Sequence, residues 1–442
     1  LNDKRATHLP GVQPTRFGDP VSVYCALHRG YMVVLYLIGD YRRLMEMSRR
    51  LEVIAGVLGD DRLRAHGRHN IGQAYFRLGD YDLALKSFQQ AADIRREAGD
   101  QGGLAESHVN LGNVHAGQGE YARAMECFQG ALCIYREIKS RQGEAACLVS
   151  IGNIFYGQGD YDAALDHYQR SLAIREESGD KLGQAKSLHS IDNIFYYRGE
   201  LEKSLECTMR AQEIRAEIGD RAGLAAGYLN LSNIHQLKQE LNRALEYAKR
   251  SLAIRREIGE RAGQVGCLNI IGGIHAQRGD HRLALDIFRE SLRIQEEMGH
   301  KLDRCVTICS LAAAQIALGE FGGTEGLLEA GFALAVEMGS AADEAKCHET
   351  YGKFFAEKGS LEQASERYLK ALGIYQGMQN EYDAAQMRMA YGHILAGKGL
   401  HREAADQLSQ ARDLFRKMAL ESPAQEAERE LEALAGPAKR NA

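Results

Sequence analysis

The chain has 442 residues, with 55 Lys and Arg against 60 Asp and Glu and a net charge of −5. Such a mixed surface offers no basic stripe for nucleic acid and no long like-charged tail. No apolar run approaches the ~20 residues of a membrane span, and no signal peptide opens the chain.

Nine cysteines are scattered without a CxxC pair. Dispersed thiols fit a reducing compartment, so a cytoplasmic location is expected. The chain begins at Leu1 rather than Met, and a fragment of a longer protein is one expectation.

In chain order, residues 1–20 read as a lead holding Pro10, Pro14 and Pro20. From 21 to 420 the sequence repeats every 40 residues without insertion or deletion, in ten repeats starting at 21, 61, 101 and so on to 381. A period of this size predicts a solenoid whose repeats pack on their neighbours. No proline interrupts residues 21–420, as an almost wholly helical array requires. The segment 421–442 holds Pro423, Pro437, Leu431 and Leu434 and reads as a capping helix with a tail.

Each repeat reads as two helices. In the repeat 101–140 the first covers roughly 104–118, with Leu111 and Val114 at helical spacing. Gly119 supplies a left-handed stop, and Glu120 suits the start of the second helix. Ala124, Phe128 and Ala131 form that helix's inner face. The sequence places glycine at turns, as in Gly79-Asp80, Gly159-Asp160 and Gly39-Asp40.

These positions carry a resemblance. Ile71-Gly72, Tyr75, Gly79, Tyr81, Ala84, Phe88 and Ala91 resemble the tetratricopeptide repeat. The 40-residue period with Leu111-Gly112-Asn113 is similar to the Pins/LGN branch, and the run Ser171–Asp180 resembles arrays attached to bacterial cyclases, kinases and STAND-type ATPases. The resemblance implies an all-α, right-handed superhelix of about ten helix-turn-helix repeats. It also implies a binding scaffold rather than an enzyme.

Several repeats depart from the pattern. The first, 21–60, has Met32, Leu44 and Ser48 at packing sites and reads as a degenerate cap. Asp192 and Ser232 replace the first-helix glycine, and Gln239 replaces a turn glycine. Gly322, Gly323, Gly326 and Gly331 predict a weak second helix in the repeat 301–340.

No P-loop, dinucleotide fingerprint, HExxH, nucleophile elbow or zinc spacing is present, so no catalytic residue, cofactor or metal is expected. His115, His235 and His275 stand at an aromatic packing position. His66 with His69, and Cys305 with Cys309, are one helical turn apart, and both pairs read as packing rather than ligation.

The remaining signal is a polar ladder at the tenth and thirteenth positions of successive repeats. It reads Asn70 and Gln73, Asn110 and Asn113, Ser150 and Asn153, Ser190 and Asn193, Asn230 and Asn233. The resemblance places the first helices along a concave groove. An amide offers donor and acceptor together and so matches a peptide backbone. The expectation is an extended protein or peptide partner held on these ten residues, with His69, His189, Glu106 and Lys186 tuning specificity; nucleic acid and membrane are not expected as partners. Two alternatives stay open: that the ladder bonds within or between repeats, and that the array is the regulatory or sensor region of a larger signalling protein.

Overall fold

Two turns per repeat set where its helices stop and start. At the first, Gly119 takes φ 77°, its N–H reaches the Ala116 carbonyl at 3.0 Å, and the Glu120 N–H reaches that of His115 at 2.9 Å. This left-handed closure satisfies carbonyls that the helix end would otherwise orphan. At the second, Asp100 accepts the Gly103 N–H at 3.0 Å and Asp180 accepts that of Gly183 at 2.9 Å, capping the next helix.

The computed structural model describes residues 30–33, 35–36, 40–298, 304–378, 380–418 and 420–435. The lead 1–20, Gly39 and Pro437 lie outside the described residues. Every secondary-structure element among the described residues is a helix. The helices come in pairs, such as Gln101–Gly117 with Tyr121–Glu137 and Arg261–Gln277 with His281–Met298. The architecture is an all-α solenoid of helix-turn-helix repeats. Two compact units divide the chain, Leu1–Gly219 and Asp220–Ala442.

One packing rule builds the core in both. The twelfth residue of a repeat, on its first helix, faces the twenty-eighth, on its second. A Cβ at Gly152 would lie 2.6 Å from Tyr168 Cε1, and one at Gly272 would lie 2.6 Å from Phe288 Cε1. Only glycine lets the aromatic ring reach the opposing backbone. Gly72 with Phe88, Gly112 with Phe128 and Gly352 with Tyr368 repeat the arrangement.

Where the glycine is lost, the ring is lost too. Asp192 faces Thr208, Ser232 faces Ala248, Ala312 faces Leu328 and Met32 faces Ser48, all of them buried. At Asp192, Ala312 and Met32 the first helix now supplies side-chain volume to the slot, as close-packed interiors require. Met32 and Ser48 in the first repeat are therefore a filled slot, with the Ser48 hydroxyl 3.4 Å from Met32 Sδ.

The first-helix glycines Gly72, Gly112, Gly152, Gly272 and Gly352 serve as ring slots. One expectation needs correction. In the repeat 301–340 the second helix is Thr324–Met338, so Gly322 and Gly323 precede it rather than weaken it. Gly326 and Gly331 are inside it; a Cβ at Gly331 would lie 2.9 Å from Ile308 Cγ2, while one at Gly326 would meet nothing within 4 Å. The final helix, Glu421–Ala435, buries Ala424 and Ala427 against Leu408 and Phe415, with Leu431 and Leu434 beside them.

Candidate peptide-binding face

The tenth and thirteenth residues of the first helices differ in what their side chains do. At the tenth position the polar groups are mostly spent locally. The Asn110 amide donates to the Glu106 carbonyl at 2.8 Å, and the Ser190 hydroxyl donates to that of Lys186 at 3.4 Å. Asn70 is 8% exposed and points its amide at Met32 Sδ, 3.6 Å away. Ser150 is half-buried and makes no side-chain hydrogen bond among the described residues.

The thirteenth position is different. In the first unit, Gln73, Asn113 and Asn193 are half-buried and make no side-chain hydrogen bond among the described residues. Asn153 is exposed; its Oδ1 accepts the Tyr168 hydroxyl at 2.6 Å, which leaves its amide N–H groups to donate outward. In the second unit, Asn233 is half-buried and makes no side-chain hydrogen bond among the described residues, while Asn230 is half-buried and engaged.

Around the column the charges are organised. Arg95 is 6% exposed and reaches across the turn to the Gly103 carbonyl at 2.9 Å, the Ser107 hydroxyl at 2.8 Å and Glu106 at 3.0 Å. Arg175 repeats this on the Gly183 carbonyl at 2.7 Å and Ser187 at 3.0 Å. Burial pulls the Arg175 guanidinium below its ordinary value. Gly103 and Gly183 leave room for two neighbours, since a Cβ there would lie 2.3 or 2.1 Å from the capping Asp100 or Asp180 carboxylate and within 2.9 Å of the Arg95 or Arg175 side chain. These arginines fasten the second helix of one repeat to the first helix of the next. In the sequence Arg175 stood out only as part of the run Ser171–Asp180; the signal was the pairing of Arg with glycine eight residues on.

Glu106 and Lys186 are exposed on this side. His69 is not available to a ligand: it is 3% exposed and packs edge-on against Phe88 at 5.6 Å. Burial first, then Arg95 and His66, hold it down to about 3, so it stays neutral. His115, His235 and His275 do more than pack. Their Nδ1 atoms meet Glu120 at 2.8 Å, Glu240 at 2.9 Å and Asp280 at 3.1 Å, bridging the turn between paired helices. The His115 contact, ahead of Arg123, holds the Glu120 carboxyl below its usual range.

Three tetratricopeptide-repeat family models match the chain, over residues 65–98, 103–177 and 224–258. No curated protein sequence matches it. Among solved structures, it is similar to the apo quorum sensor NprR of B. thuringiensis, at 15% identity and TM-score 0.56, covering 76% of this chain and 97% of that one. Apo RapI aligns at 16% identity and TM-score 0.55, covering 62% and 99%. A signal-transduction ATPase with a tetratricopeptide repeat sensor, from Pyrococcus horikoshii, aligns at 16% identity and TM-score 0.52, covering 78% and 54%. Among the described residues, no helix is long and apolar enough to cross a membrane. Periodic sequence, ring-slot packing and family models agree that the chain is built of tetratricopeptide repeats, and the structural neighbours share its fold.

Proposed function

We propose that the first unit holds an extended peptide segment along the column Gln73, Asn113, Asn153 and Asn193. One observation carries this reading: these side-chain amides are held on rigid helices, and three of the four make no hydrogen bond among the described residues. A half-buried amide without a protein partner gives up water and gains nothing internally. A peptide backbone supplies both missing donors and acceptors. Glu106 and Lys186 on the same helices would favour a segment carrying charges of both signs. The tenth-position side chains, already bonded to their own helix in two of the four repeats, support the column more than they read the ligand.

The test begins with a peptide selected on the intact protein from a random-sequence library. Gln73→Ala, Asn113→Ala and Asn193→Ala are then combined and affinity is measured by calorimetry. At ~0.5–1.5 kcal/mol per lost bond, affinity falls at least about tenfold. Thermal stability holds or rises, because alanine is the better helix former. A drop in melting temperature with affinity intact would make the column structural.

A further inference from the structure

The second unit carries a group that peptide binding does not use. Cys305 and Cys309 stand on the helix Arg304–Ala317, and Cys347 stands on the helix Ala341–Glu357. Cys347 Sγ is 3.4 Å from Cys305 Sγ and 3.6 Å from Cys309 Sγ. All three sulfurs lie within 4.8 Å of one another, and the three residues are 2%, 1% and 0% exposed. Sequence spacing showed only the first pair; the third thiol arrives by the stacking of one repeat on the next.

We infer that Cys305, Cys309 and Cys347 form a three-coordinate, all-sulfur site for a soft, thiophilic ion. The geometry suits it. Metal–sulfur bonds of ~2.3 Å in a trigonal plane put the sulfurs about 4 Å apart, about half an ångström wider than the two measured pairs. Thiolate is the ligand type that selects soft ions. No carboxylate or imidazole joins the three sulfurs among the described residues. The second helix of the repeat covers them with Leu334 and Ala335, and Phe332 packs alongside. Zinc, which takes four ligands in structural sites, is therefore poorly served.

Three thiolates and a divalent ion leave one negative charge; Lys346, beside Cys347 in the chain, stands on the same turn. Binding replaces three S–H bonds by three sulfur–metal bonds, and the three protons pass to buffer. No electron moves and no oxidant is needed. The bound ion would clamp the repeat 301–340 to the repeat 341–380.

The reduced 442-residue chain is titrated with cadmium(II), and with mercury(II), copper(I), arsenite and zinc(II) in parallel. The expected result is one equivalent of cadmium, with ultraviolet sulfur-to-metal charge-transfer absorption and a higher melting temperature. Cys305→Ser, Cys309→Ser and Cys347→Ser each lower affinity at least about a hundredfold, while Cys133→Ser, on the surface, does not. X-ray absorption on the wild-type complex reads the shell even if a serine variant misfolds, and three sulfurs with no nitrogen or oxygen are expected. Zinc binding tighter than cadmium, a mixed shell, or unchanged uptake by the triple variant would overturn the site.

Discussion

The repeats 141–180 and 181–220 have the same length and helix bounds, yet they fill their central slot in opposite ways. In the first, Gly152 yields to the Tyr168 ring. In the second, Asp192 occupies the slot from the other side, and Thr208 stands where the ring would be. Asp192 accepts the Ser204 hydroxyl, so the buried carboxylate has a donor. In these two repeats the slot is filled from either helix rather than by one fixed residue. A repeat can trade an aromatic plug for a hydrogen-bonded polar one and keep its helix bounds.

The largest expected effect breaks this symmetry. Tyr168→Ala empties a slot that Gly152 cannot refill and should cost ~3–5 kcal/mol, as aromatic truncations in cores do. It also removes the donor to Asn153. Thr208→Val should cost nothing or stabilise slightly, because the Thr208 hydroxyl is buried without a hydrogen-bond partner among the described residues. Denaturant unfolding, with amide exchange to localise the loss, checks both. Equal costs at the two positions would mean that the second-helix residue does not set the slot.

Asp192 gives the next effect. Asp192→Ala leaves the Ser204 hydroxyl without its acceptor, at about 1–3 kcal/mol. Asp192→Gly combined with Thr208→Phe rebuilds the glycine–ring pair of the repeat 61–100. The double variant should be more stable than the sum of its parts, because residues in contact couple. Additive losses would show that the exchange of volume is coincidental.

The repeat, its helix pairs and its fold were legible in the sequence because period, proline exclusion and turn glycines are local signals. The logic of Asp192 and Ser232 was not. Each appears only as a missing glycine until Thr208 and Ala248 are seen opposite. The ladder was legible as a column, but not the split within it, since whether Asn110 bonds its own helix depends on a rotamer that spacing does not encode. Cys347 was invisible to spacing because it comes from the neighbouring repeat, 42 residues after Cys305.

Acid should sharpen the same comparison. Asp192 Oδ2 lies 4.0 Å from His189 Nδ1. Burial, the largest influence, lowers His189 below its ordinary 6.5; Asp192 pulls it up and Arg215 pushes it down. A histidine with a lowered folded value contributes stability above its unfolded value, and that contribution is lost as pH falls through the folded one. Stability should therefore decline below pH 6.5. Asp192→Asn should move the His189 titration lower still, as followed by imidazole NMR shifts. His69, held to about 3, should stay neutral throughout and serve as the internal reference. An upward shift of His189 in the variant would contradict the assigned role of Asp192.

The smallest effect concerns the turns that bound these repeats. Lys139 takes φ 55° where Gly99 takes 67° and Gly179 takes 68°. A left-handed residue with a Cβ costs roughly 1–2 kcal/mol, while glycine returns about 0.5–1 kcal/mol of that through the greater freedom it loses on folding. Lys139→Gly should therefore stabilise by less than about 1 kcal/mol, and Gly179→Lys should cost a similar amount. The repeat 141–180 lies between these two turns, so the pair tests whether its helices stop because of backbone conformation or because of packing. A melting temperature unmoved by both substitutions would assign the stop to the ring slot inside the repeat, and the turn glycines would be the consequence of the packing rather than its cause.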